Sequence, residues 1–207
     1  MNVAEWGFCE YWFPEDEENV GGDWSHLNTI EPFPDEEETF LLSPRNQHTI
    51  FKFDAANEQI EWKLGAKGDF GLGGDDLFLR QHDPEILENG NILLYDNGER
   101  VGGDFTRRWS RALEVSYDTE TMTAEVVWQF RPDPDVWTPI WGDADRLDNG
   151  NTLVTFGMRN QAPGSVSRLM EATPSSQRVW DLAAPNGWGW YRSDRVTDLP
   201  TGYVVEK

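Results

Sequence analysis

The side chains best suited to proton transfer and anion binding are three histidines and two arginines. Histidine titrates nearest to neutral pH, and the chain contains only His26 in DWSHLN, His48 in NQHT and His82 in QHDPEIL. Arg100 directly follows the phrase DNG, and Arg111 lies in SRALEV. A guanidinium carries a fixed charge and holds oxyanions through paired hydrogen bonds. These residues could therefore bind an anionic substrate and move its proton.

Each of these residues also has a plain structural alternative. A histidine in a β-protein is more often hydrogen-bonded structure than a catalyst, and His48 is predicted to be an ordinary turn or strand residue. Arg100 lies in the Gly-rich phrase GERVGG, where it could simply be solvated. Cys9 is the only cysteine, which excludes an internal disulfide and a multi-cysteine metal site. The Asp-rich turns could bind calcium only unspecifically, because no spaced set of oxygen ligands resembles a known loop, and the sequence assigns no metal-ligating residue.

Short β-strands must position these side chains. The runs HTIFKFD, GNILLYD, AEVVWQF and GNTLVTF are rich in β-branched and aromatic residues and are bounded by Asn, Asp, Gly or Pro. Glycine and proline are spread too evenly for a helix of three turns. The sequence therefore predicts a mostly β protein.

An internal repeat defines the architecture. ILENGNILLYDNG, from Ile86 to Gly98, matches RLDNGNTLVTFG, from Arg146 to Gly157, and VTDLPTGYVV is a degraded third copy. The Asn-Gly step tolerates the positive φ of a tight hairpin turn, so each copy is predicted to be a hairpin.

A second pair of strands follows each hairpin and ends near Trp62, Trp128 or Trp180. Four strands per copy at this spacing predict an all-β fold, a β-propeller of four-stranded blades, with about three to four blades in this chain. We expect an acidic and aromatic lead segment at residues 1–22 and the partial propeller at residues 23–207. An open edge strand at Thr201 to Val205 would favour self-association or completion by another chain.

The charge restricts the partners. The net charge of -21 would repel nucleic acid phosphates and anionic lipid, and no stretch of the chain is apolar enough to span a membrane. No signal peptide is apparent, so localisation stays undetermined. The excess of acid, with arginine preferred to lysine, is typical of salt adaptation and favours a halophilic source over an ordinary acidic mesophile.

The phrases DWSHLNTI, QHDPEILENGNILLYDNG, SRALEVSYD and RLDNGNTLVTFG together resemble the arylsulfotransferase family over roughly Asp23 to Leu182. The resemblance implies a propeller that transfers a sulfuryl group from an aryl sulfate to a phenol without a cofactor. It also implies that His26, His82 and Arg100 are catalytic and that Arg111 is a weaker, substrate-binding candidate. Asp23 could orient His26.

The sequence departs from the family pattern at one position. The resemblance implies a covalent sulfohistidine at the start of a later blade, but counting eight residues back from Gly150 gives Gly142, and no histidine follows His82. Three explanations stay open. Another blade supplies the nucleophile, His82 acts as a base in direct transfer, or the activity has been lost.

Two other functions compete with the sulfotransferase prediction. A non-catalytic propeller could bind an anionic or aromatic ligand, or a protein, through the same channel. A quinone-dependent dehydrogenase is disfavoured because no regular glycine-to-tryptophan docking pattern occurs in the repeats.

Overall fold

Twelve strands form three four-stranded antiparallel sheets in the described part of the chain. The computed structural model describes residues 23–98, 109–157, 167–185 and 187–196. The first sheet contains β1 (Leu27–Pro32), β2 (Thr39–Pro44), β3 (Thr49–Asp54) and β4 (Gln59–Gly65). The second contains β5 (His82–Ile86), β6 (Ile92–Asp96), β7 (Arg111–Asp118) and β8 (Thr123–Phe130). The third contains β9 (Asp143–Arg146), β10 (Thr152–Phe156), β11 (Arg168–Ala172) and β12 (Arg178–Ala183).

The sheets are arranged like consecutive propeller blades. Within each sheet the strands pair in chain order, and the first strands lie together, because β1 contacts β5 and β5 contacts β9. The prediction of an all-β, propeller-like fold of four-stranded units is therefore confirmed. The proposed edge strand and the third hairpin copy lie mainly in residues 197–207, outside the described residues.

Apolar side chains fill the spaces between neighbouring sheets. Ile50 and Leu64 from the first sheet belong to one buried cluster with Leu94 from the second. Tyr95 from the second sheet belongs to another cluster with Phe156 from the third. Each sheet thus buries one face against the next, which is the reason that a single repeat could not be stable alone.

The residues Asn89, Gly90 and Asn91 of the second sheet have a structural role. Gly90 has a φ of 83°, which a glycine adopts without strain. The amides of Asn89 and Asn91 donate to Oε1 of Glu114 on β7, at 3.1 and 2.6 Å. The other oxygen of Glu114 pairs with Arg146 of β9 at 2.6 Å. One carboxylate therefore fixes a hairpin and joins two sheets.

The third sheet repeats this arrangement. Asn149 and Asn151 donate to Glu171 on β11, and Arg195 pairs with the same carboxylate. The self-similarity of the sequence therefore extends to its polar contacts. In the described residues no helix is long and apolar enough to cross a membrane.

Candidate functional site

His82 begins β5 and is only 3% exposed. Its Nδ1 lies 2.7 Å from Oδ1 of Asn97 and 3.2 Å from the backbone oxygen of Arg80. Both neighbours are hydrogen-bond acceptors, so Nδ1 carries the proton and donates it. In the neutral ring, Nε2 then keeps its lone pair.

Asn97 sets this tautomer because its own orientation is fixed. The side chain is fully buried, and its Nδ2 donates to the backbone oxygens of Thr138 at 2.6 Å and Trp141 at 2.7 Å. Two acceptors on one side of the amide require the nitrogen there, which leaves Oδ1 facing His82. The phrase DNG therefore contributes a residue that orients His82.

Burial lowers the pKa of His82 to about 4. Its hydrogen bond to Asn97 opposes that shift, and the nearby positive charges of Arg45 and His26 lower the pKa further. The imidazole is therefore neutral at neutral pH, with its lone pair on Nε2.

Both His26 and Arg45 lie near His82. The sequence had indicated His26 as a candidate for this site but not Arg45. The backbone N–H of Arg45 donates to the backbone oxygen of His26 at 3.2 Å. The guanidinium of Arg45 is buried and donates to the backbone oxygen of Pro139 at 2.8 Å. His26 is half exposed, with its Nδ1 2.5 Å from Oδ2 of Asp23, which is the orienting contact expected from the sequence.

Two aromatic rings stand beside the histidine. The ring centroid of Tyr191 lies 6.5 Å from that of His82, and the ring of Trp141 lies 6.0 Å from Tyr191. Tyr191 remains 47% exposed. Edge-to-face rings of this kind form an apolar wall that can contact another aromatic group.

Arg111, the weaker candidate from the sequence, donates hydrogen bonds to side chains within one sheet. Arg111 is buried, with Nε donating to Oδ2 of Asp96 at 3.0 Å and Nη1 to Gln129 at 2.8 Å. Its contacts join strands of one sheet, and a role in substrate binding stays a prediction. Arg100 lies outside the described residues. His48 accepts a hydrogen bond from the backbone of Arg80 at 3.0 Å, in line with its expected structural role.

The position where a third-sheet histidine was sought has no room for one. Gly142 occupies the place in the repeat that His82 occupies one copy earlier, and its φ is 124°. A Cβ there would lie 2.2 Å from a ring carbon of Tyr95. Any side chain at position 142 would displace the buried Tyr95.

Carboxylates line the inner strands next to the histidine cluster. Asp83 follows His82 directly on β5 and pairs with Arg192 at 2.6 Å. Ligand oxygens of Asp83, Asp143 and Asp145 lie within 4.8 Å of one another. We call these three residues the axial carboxylates.

A cavity of about 600 Å³ opens at the opposite end of β5, between the turns that follow β5 and β9. Glu85, Arg146 and Asp148 are among its lining residues. Its lining includes no histidine, so His26 and His82 lie outside it.

Sequence reasoning missed Arg45, Asn97, Trp141 and Tyr191. Asn97 had a local signal, because it lies in the repeated phrase that follows the β6 strand. Arg45, Trp141 and Tyr191 reach the site only through the packing of distant strands, and no spacing along the chain indicates them.

These features define a class: an all-β protein of propeller-like sheets that presents an oriented, neutral histidine at the start of an inner strand. The chain belongs to the arylsulfotransferase (ASST) family, whose family model matches residues 12–190. The resemblance described from the sequence is thereby confirmed.

Among solved structures, the chain is similar to a protein of unknown function from Bacteroides caccae. The identity is 17% and the TM-score is 0.40, over 75% of this chain. The chain spans 45% of the length of that protein. No curated protein matches the chain.

Proposed function

We propose that this protein transfers a sulfuryl group from an aryl sulfate to a phenolic acceptor. The proposal is supported by family membership and carried by one observation, the orientation of His82 by Asn97. A neutral imidazole with Nδ1–H already donated presents Nε2 as a base in a fixed direction. No diffusible cofactor enters the scheme.

The reaction is proposed as a direct displacement. The oxygen of the acceptor phenol bonds to sulfur while the bond between sulfur and the aryl oxygen of the donor breaks. Nε2 of His82 takes the acceptor's proton and returns it to the departing phenolate. Direct transfer is favoured over a histidine-bound intermediate formed at the third sheet, because Gly142 cannot carry a side chain there.

The surrounding groups have complementary roles in this scheme. The positive charge of Arg45, with that of His26 when protonated, stabilises negative charge on the sulfuryl oxygens. Tyr191 and Trp141 offer an aromatic wall to the aryl group. Arg100 and Arg111 remain proposed contacts for the sulfuryl oxygens.

A chromogenic assay tests the proposal. The protein is incubated with 4-nitrophenyl sulfate in concentrated salt, and nitrophenolate release is followed with and without phenol. We expect phenol-dependent release that His82→Asn abolishes. His48→Asn is the matched control, because His48 makes a structural contact and asparagine tolerates its left-handed backbone. Full activity in His82→Asn would remove the assignment.

The pH dependence of the activity gives a second test of His82 as the base. Because the pKa of His82 is about 4, the base stays unprotonated well below the usual histidine range. We expect kcat/KM to fall on acidification with a midpoint near pH 4. A midpoint near 6.5 would mean that a more ordinary histidine is the base.

A second candidate function is a non-catalytic ligand-binding propeller. It is favoured by Gly142, because the later-blade histidine implied by the resemblance has no counterpart there. Calorimetric binding of an aryl sulfate by a folded protein that releases no phenol would support this alternative over the enzyme.

A further inference from the structure

The axial carboxylates occur at related positions of two inner strands. Asp83 on β5 and Asp143 on β9 lie sixty residues apart, the same interval that separates Gly90 from Gly150. Asp145 lies two residues beyond Asp143 and therefore points to the same side of β9. The repeat thus directs acidic side chains from two sheets to one point.

Burial makes this cluster different from the acidic surface. Asp143 is 1% exposed; its Oδ2 accepts a hydrogen bond from the backbone of Ser193 at 3.1 Å. Its Oδ1 is buried and has no hydrogen-bond donor among the described residues, and the same holds for Oδ2 of Asp145. Two buried carboxylate oxygens of the cluster therefore receive no hydrogen bond from a donor among the described residues, which is costly in free energy while the groups are charged.

The positive charge next to the axial carboxylates is too small to balance their negative charge. Arg192 contacts Asp83 at 2.6 Å, and no other ion pair to the axial carboxylates is found among the described residues. Burial raises the pKa of Asp143, and the neighbouring Asp83 and Asp145 raise it further. Burial and the charges of Glu85 and Asp83 raise the pKa of Asp145 to about 7.

Either a shared proton or a bound cation would relieve this repulsion. Carboxylate oxygens are hard ligands, which favour calcium, magnesium or manganese over zinc. Oxygens on opposite sides of calcium, each about 2.4 Å from the ion, lie roughly 4.8 Å apart, whereas magnesium at about 2.1 Å draws them to roughly 4.2 Å. The ligand oxygens of the three carboxylates all lie within 4.8 Å of one another, so they can reach one calcium ion, whose coordination geometry is flexible.

We propose that Asp83, Asp143 and Asp145 bind one calcium ion between β5 and β9. The ion is coordinated by oxygens of three carboxylates from two sheets, and it therefore joins the first strands of those sheets. Water and backbone oxygens complete its coordination. The proposal does not depend on the proposed sulfotransferase chemistry.

Equilibrium dialysis and thermal unfolding test the site. The full chain is stripped with a chelator and then titrated with calcium chloride alone. We expect one calcium per chain and an increase of about 5 °C or more in Tm at saturating calcium, because binding only to the folded state stabilises it. Absence of stoichiometric binding would overturn the proposal.

A double substitution, Asp143→Asn with Asp145→Asn, should abolish both the binding and the increase in Tm. The charge-matched control, Glu58→Gln with Glu120→Gln, changes two exposed turn residues and should retain both. If the double variant does not fold, Asp145→Asn alone should weaken calcium binding at least tenfold.

Other outcomes would contradict the site. An equal Tm increase in the double variant would mean that calcium acts on the acidic surface. A wild-type protein indifferent to calcium, together with greater stability of Asp143→Asn at neutral pH, would mean that a shared proton relieves the repulsion instead.

Discussion

Glu85 offers a quantitative test of the electrostatics along the inner strands. It lies on β5, partly buried, and its Oε1 accepts a hydrogen bond from the backbone of Arg146 at 3.0 Å. Burial, and secondarily the charges of Asp83 and Glu31, raise its pKa from 4.5 to about 7. Replacement by glutamine keeps an acceptor oxygen and removes the charge.

The raised pKa determines both the direction and the size of the change in folding stability that Glu85→Gln should cause. A carboxyl group with a higher pKa in the folded than in the unfolded state destabilises the fold progressively from about pH 4.5 to about pH 7. The full shift corresponds to about 3 kcal/mol, which we reduce to about 2 kcal/mol because solvent partly screens the group. Glu85→Gln should therefore stabilise the protein by about 2 kcal/mol at pH 8 and by about a quarter of that at pH 5.

Thermal unfolding measured by circular dichroism at both pH values, with chelator present, provides the assay. For a chain of 207 residues we expect a Tm increase of roughly 4–8 °C at pH 8 and about 1–2 °C at pH 5. Glu58→Gln, in an exposed turn, should change Tm little at either pH. Equal increases at the two pH values, or none at pH 8, would refute the assignment of a buried, repelled charge at Glu85.

Three further substitutions test the packing and the site. Gly142→Ala should destabilise the protein by about 3 kcal/mol or more in denaturant titrations because its Cβ would strike Tyr95, whereas Gly90→Ala, which meets no atom within 4 Å, should cost only about 1 kcal/mol. Glu114→Ala should cost about 3 kcal/mol, since it leaves two asparagine amides and an arginine of the next sheet without their acceptor, and Glu114→Gln should recover part of that loss. Asn97→Ala should lower kcat about tenfold in the aryl sulfate assay with little change in KM, and an equal rise in KM would argue for a binding role.

The repeated hairpins were predictable because their causes are local. The glycine of each Asn-Gly turn has a positive φ, and the apolar run that follows each turn is a buried strand. The role of the flanking asparagines was not predictable, since their acceptors, Glu114 and Glu171, lie 20 or more residues away along the chain. The Asn-Gly-Asn residues that resembled a family signature therefore also make structural hydrogen bonds.

The buried acids escaped prediction for a compositional reason. In a chain with 38 acidic residues, any one aspartate is expected to lie on the hydrated surface. Asp143 and Asp145 differ from the rest only because β9 packs beside β5, a relation that no short window of sequence contains. Their spacing of two residues was visible, but their burial was not.

The same packing bears on how sulfuryl transfer could proceed. Tyr95 fills the space above Gly142, and its hydroxyl is hydrogen-bonded to Thr138, the residue whose backbone oxygen orients Asn97. A histidine at position 142 would therefore displace the ring and disturb the contacts that orient His82. A histidine at position 142 is thus incompatible with the contacts that orient His82, which supports the proposed direct transfer with His82 as the base.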